Sequence, residues 1–158
     1  MNGISLILDA NLLLLFIVGT TNRDLIAKHK RLRKTFSLDD FDLLYGLIIN
    51  APNIFVTPNT LTETSNLLGY IDEPARTQVF EMFRALIPST REEYVESQKA
   101  AGVEEFLRLG LTDSGLLEIT NKSKSLLTTD LDLYIAALNR GVSAVNFNHL
   151  RELSSLKP

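Results

Sequence analysis

Four short apolar runs constrain this chain more than any other feature: Ile4 to Leu8, Asn53 to Val56, Ser125 to Thr128 and Ser143 to Phe147. Polar residues, Pro or Asn bound most of them, as expected of central strands buried on both faces of a sheet. Helical patterns fill the intervals. They are Asn11 to Val18, Thr21 to Thr35, Leu38 to Ile49, Thr60 to Gly69, Pro74 to Ile87, Glu92 to Leu109 with a break near Gly102, Asp113 to Asn121, and Leu131 to Asn139. Strands alternating with helices imply βαβ units and a mostly parallel sheet. With 158 residues, a single domain over 1–158 with a substantial core is expected.

Where a parallel sheet forms, its site lies beyond the carboxyl ends of the strands. Four acids fall at such ends or at helix starts: Asp9 in ISLILDANLL, Glu63 in TLTETSNLL, Asp113 in GLTDSGLLEI and Asp130 in SLLTTDLDLYIAAL. An acid beside an apolar run is costly to bury unless it is paired, hydrogen-bonded or metal-bound. With no matching set of cations beside them, the four suggest a shared Mg²⁺ or Mn²⁺ site. Each also has a local reading. Asp9 and Asp130 suit helix N-caps. Thr60 to Glu63 spells a capping box, and Asp113 complements a helix dipole. Asp132 completes a weaker box with Thr129 and is expected to support structure or the neighbouring acids rather than to bind metal.

The net charge of −3 hides an asymmetry. Between Arg23 and Lys34 lie six basic residues, Arg23, Lys28, Lys30, Arg31, Arg33 and Lys34, and one acid, for a net of +5. The remaining ten basic and eighteen acidic residues carry −8. A basic segment on an acidic body suits phosphate backbones, although a solvated helix face reads the same way. Cysteine is absent, which excludes disulfides, thiolate zinc sites and a cysteine nucleophile. It also fits a reducing cytoplasm. No apolar stretch approaches the roughly 20 residues of a membrane span, and no basic leader precedes Leu12 to Val18, so neither a membrane nor a signal peptide is expected. His29 and His149 read as surface residues rather than as zinc ligands.

The ordered set of LILDANLLL, TLTETSNLL, GLTDSGLLEI and LLTTDLDLYIAALNRG, followed by VSAVNFNHL, resembles the PIN-domain nucleases over nearly the whole chain. The resemblance implies a three-layer α/β/α sandwich and a divalent-metal nuclease, usually acting on RNA. It implies Asp9, Glu63, Asp113 and Asp130 as metal-coordinating acids, with Asn11 and Thr129 as neighbours that orient them. Many members are toxins of toxin–antitoxin pairs, and homodimers are common. The chain departs from the pattern late, where some members place another acid and this one has Asn146 or Asn148. A catalytically weakened domain that binds protein or RNA is therefore the main alternative. A phospho-acceptor domain with an aspartyl nucleophile is a weaker one, because LDANL lacks a second Asp two residues on. Dinucleotide- and P-loop-type glycine motifs are missing. The apolar faces of Leu38 to Ile49 and Val79 to Leu86 suit either a dimer contact or the core.

Overall fold

A computed structural model describes residues 3–157. Its sheet contains β1 (Ser5–Leu8), β2 (Ile54–Val56), β3 (Arg91–Glu92), β4 (Lys124–Thr128) and β5 (Ala144–Asn146), all parallel in the order β3-β2-β1-β4-β5. Leu6 lies opposite Ile54 on one side, and Leu8 lies opposite Leu127 on the other. The chain runs outward from β1 through β2 to β3, then crosses back past β1 to β4 and on to β5. The crevice beyond β1 and β4 is thus the topological switch point, where open parallel sheets hold their sites.

Alternation along β1 divides the interior. Leu6 and Leu8 join the larger core, and Ile7 joins a second core with Leu116, Leu117, Leu126 and Leu133. Helices α1 (Ala10–Thr21), α2 (Leu38–Ile49), α3 (Pro58–Leu68), α4 (Ala75–Leu86) and α8 (Phe147–Ser155) contribute to the first. Helices α6 (Phe106–Ile119) and α7 (Leu131–Asn139) cover the second, with α5 (Ser97–Ala101) against α6. The result is the expected α/β/α sandwich. Helix α1 is buried continuously from Leu12 to Gly19. Gly19 is required there, since a Cβ would sit 2.2 Å from the Phe41 ring of α2. Val79, Phe83, Phe41, Leu44 and Ile48 are core residues, whereas Leu38, Tyr45 and Ile49 of α2 are exposed. Among the described residues no helix is long and apolar enough to cross a membrane.

Four elements differ from the sequence reading. No α-helix spans Thr21 to Thr35. Asn22 turns to extended backbone, φ −167°, and only two 3₁₀ turns follow, Arg23–Leu25 and Leu32–Lys34. Leu25, Ile26 and Leu32 are buried as expected, but from irregular turns that satisfy the same spacing. The segment Glu92 to Leu109 breaks into β3, a loop, α5 and the start of α6, which kinks at Gly110, φ 78°. Strand β3 is two exposed residues at the sheet edge, with no apolar pattern to betray it. Finally, Asn146 caps α8, so Phe147 opens a helix instead of ending a strand.

Candidate active site

The site is assembled by helix starts at the carboxyl edge of the sheet. Asp9 follows β1 and caps α1, its Oδ1 accepting the Leu12 amide at 2.8 Å. Its Oδ2 accepts the Thr128 hydroxyl at 2.5 Å and the Thr129 amide at 3.0 Å. Asp130 follows β4 and caps α7, its Oδ1 accepting the Leu133 amide at 2.8 Å. The two acids are joined by Thr128, whose hydroxyl donates to Asp9 and accepts the Asp130 amide at 2.9 Å. The capping readings of Asp9 and Asp130 are therefore correct, and they hold each carboxylate rigidly at the crevice.

Glu63 does not form a capping box. Helix α3 starts earlier, at Pro58, with Thr57 as the cap accepting the Thr60 amide at 3.1 Å. Glu63 lies a turn further on, exposed. Asp113 sits on the first turn after the Gly110 kink, partly buried. None of the four acids forms a salt bridge with a described residue.

Electrostatics tie the four together. Burial, then the charges of Asp9, Asp130 and Glu63, push the Asp113 carboxyl from 3.8 to about 7. Burial also raises Asp9, against its three hydrogen bonds and with help from Asp130. Acids from four separate elements thus feel one another across a single crevice. Yet among the described residues no three His, Asp or Glu side chains are drawn together tightly enough to hold a metal ion as they stand. Hard carboxylate oxygens without a counter-cation suit Mg²⁺ or Mn²⁺ in chemistry and charge.

No family model and no curated protein matches this chain. Its chemistry must be read from its own residues.

The orienting neighbours are only partly those expected. Thr129 contributes its backbone amide to Asp9 and its carbonyl to Asn148 Nδ2 at 3.2 Å, while the hydroxyl role falls to Thr128. Two threonines side by side gave no signal to choose between them. Strand alternation could have done so, because Thr128 is fully buried at the end of β4. Asn11 accepts from Arg31 Nη2 at 3.4 Å and so faces the basic segment. Asp132 lies exposed in the first turn of α7 and hydrogen-bonds to no described group, so it forms no box with Thr129. Asn146 uses its Oδ1 to cap α8, and Asn148 accepts from Arg151.

The basic segment forms a lip beside the acids. A groove of about 410 Å³ runs along it, lined by Lys30, Arg31, Lys34 and Tyr70 and by Asn11 and Thr129, the sequence neighbours of Asp9 and Asp130. Arg33 borders a neighbouring depression. Arg23 is bound bidentately to Asp42 on α2, at 3.1 and 2.7 Å, and Lys28 does not line the groove. The lip is pinned by two residues that sequence reading missed. His29, expected at the surface, is fully buried, and its Nδ1 accepts the amides of Arg31 and Leu32, each at 3.3 Å. Its Nε2 faces the carbonyls of Leu68 and Leu67 without reaching hydrogen-bond geometry, and burial lowers its pKa. Arg151 on α8 bonds Asp40 at 2.9 Å through Nε and Nη2, and donates to the Thr35 carbonyl at 2.8 Å.

Proposed function

We propose that this chain is a divalent-metal-dependent endonuclease that hydrolyses phosphodiester bonds in RNA. The observation that carries the reading is the pair of capping carboxylates, Asp9 and Asp130, bridged by Thr128 at the switch point, with the Asp113 carboxyl pushed to about 7 by burial and then by the charges of Asp9, Asp130 and Glu63. A protein that gathers unneutralised carboxylates at a switch point, beside a basic groove, is organised for a cation and a polyanion together.

Asp9 and Asp130 are the main ligands, held in place by their caps and by Thr128. Asp113 joins them on losing its proton. Glu63, exposed and without a hydrogen bond to a described group, accepts the proton of the attacking water as general base. A bound Mg²⁺ or Mn²⁺ supplies Lewis acidity toward that water and the scissile phosphate. Lys30, Arg31 and Lys34 attract the phosphate backbone, so RNA affinity falls steeply with salt. The resemblance to PIN-domain nucleases extends the reading to a cytoplasmic toxin of a toxin–antitoxin pair, with an antitoxin protein as partner and a homodimer as its assembly.

One observation favours a second reading, a binding module with a weakened site. No three acidic or imidazole groups stand at metal-holding distance among the described residues, and Asn146 is committed to capping α8. Cleavage of a mixed RNA pool with Mn²⁺ and with EDTA separates the two. The nuclease reading expects cutting with Mn²⁺ only, and its loss in Asp9→Asn. Intact RNA in both arms, with poor Mn²⁺ uptake by calorimetry, establishes the binding module.

A further inference from the structure

We infer that the groove along the basic lip is a nucleotide site, with one unpaired base of an RNA strand stacked on Tyr70 and its phosphate held by Arg31 and Lys34. The ligand class and the strand state rest on the nuclease reading above; the base platform and its phosphate partners go beyond it.

The groove has the volume of a small-ligand pocket, about 410 Å³. Its cations are not equivalent. Lys30 is already paired with Asp72 at 2.9 Å, whereas Arg31 and Lys34 have no carboxylate partner among the described residues. Arg31 only touches the Asn11 amide oxygen, at 3.4 Å. Two cations free to bind a phosphate therefore stand on one wall.

Tyr70 lines the same groove. It is 54% exposed, and its hydroxyl bonds to no described group, so an aromatic face is presented to the groove without a structural role for its polar end. Its position is nevertheless fixed. The Lys30 amide donates to the Tyr70 carbonyl at 2.8 Å, and the Lys30–Asp72 pair closes the same junction. The buried His29 holds the turn that carries Arg31. Platform and cations are thus pre-organised relative to each other, which lowers the ordering cost of binding.

The groove also touches Asn11 and Thr129, the sequence neighbours of Asp9 and Asp130. A strand with one base on Tyr70 and its phosphate at the lip runs on toward the carboxylates. Stacking on an aromatic face requires an unpaired base, since a duplex keeps its bases inside. An acidic peptide would use the cations but not the aromatic platform.

The test measures anisotropy of an end-labelled oligouridylate in EDTA, where cleavage does not run. The parent is expected to bind it, and to bind the same RNA annealed to its complement more weakly. Tyr70→Ala should weaken single-strand binding by roughly fivefold to a hundredfold, and Tyr70→Phe should retain it. Lys34→Gln should weaken binding and lower the salt slope by about one. An unchanged affinity in Tyr70→Ala, equal affinity for duplex, or displacement by polyglutamate as effective as by unlabelled RNA each overturns the site. If Tyr70→Ala fails to fold, Lys34→Gln decides alone. The two readings fail separately. RNA binding that needs Tyr70, without any Mn²⁺-dependent cutting, removes the nuclease and keeps the groove; cutting with KM unaffected by Tyr70→Ala does the reverse.

Discussion

The acidic crevice and the basic lip meet at Asn11 and Thr129, yet they are held by opposite means. Each crevice acid rides on a regular element, Asp9 and Asp130 as caps directly after strands, Asp113 on the first turn after the Gly110 kink and Glu63 on the second turn of α3. The lip has two 3₁₀ turns, one buried imidazole and one arginine. The crevice is rigid in backbone but electrostatically strained, and the lip is electrostatically ordinary but locally braced. Removing charge should therefore strengthen the first and leave the second unaffected, whereas removing a hydrogen-bond acceptor should do most harm to the lip.

The largest effect is expected at Asp113. Keeping it ionised, at about 1.36 kcal/mol per pH unit between 3.8 and about 7, costs up to about 4 kcal/mol in the metal-free protein. Partial exposure reduces that figure. Asp113→Asn should raise the thermal midpoint at alkaline pH in EDTA and abolish Mn²⁺-dependent RNA cleavage. A variant that is both less stable and fully active would break the contrast.

Thr128→Val comes next. It removes the hydroxyl that bridges Asp9 and the Asp130 amide, both buried or partly buried. Loss of such a support beneath metal ligands is worth about 10–100-fold in metal affinity, and the orphaned groups cost about 1–3 kcal/mol in stability. Calorimetric Mn²⁺ titration and a urea melt read the two separately.

For the lip, His29→Leu strands two amides and should cost about 1–3 kcal/mol. Hydrogen exchange should quicken at Arg31 and Leu32 while the α1 amides stay protected. The pH dependence sharpens the comparison further. Folded Asp113 keeps its proton up to about pH 7, whereas the unfolded chain binds one only near 3.8, so metal-free protein gains stability from this group as pH falls across that window. His29 acts in the opposite sense. Its folded pKa is lowered from 6.5, so the unfolded chain takes up the proton first and stability is lost as pH falls below 6.5. In Asp113→Asn the gain should shrink to what Asp9, also raised by burial, contributes, while the loss from His29 remains.

The smallest effect belongs to Arg23→Gln. Its pair with Asp42 is exposed on both sides and contributes about 0–1 kcal/mol. RNA affinity should stay within error, because Arg23 lies off the groove. A large drop would mean that the lip extends further than Lys30 to Lys34.

The same contrast explains what the sequence made legible. Strands β1, β2, β4 and β5 and the acids at their ends were readable because burial on two faces leaves a compact apolar run with a polar stop. Helices α2 and α7 were readable to the residue from their periodicity and caps. The lip was not. Leu25, Ile26 and Leu32 mimic a helical face, and nothing local reveals that His29 turns inward to accept two amides. Glu63 was misread for a related reason: Thr60 matches a cap signature, but Thr57 and Pro58 had already started the helix. Thr128 and Arg151 act across 119 and 111 residues, a separation no local pattern encodes.

The most direct measurement follows the Asp113 carboxyl by carbon NMR through a pH titration, with and without Mg²⁺. Convergence of the four acids on one cation predicts a midpoint near 7 in the metal-free protein and a marked fall when Mg²⁺ is added. A midpoint near 3.8 without metal, or one that saturating Mg²⁺ leaves in place, would contradict it.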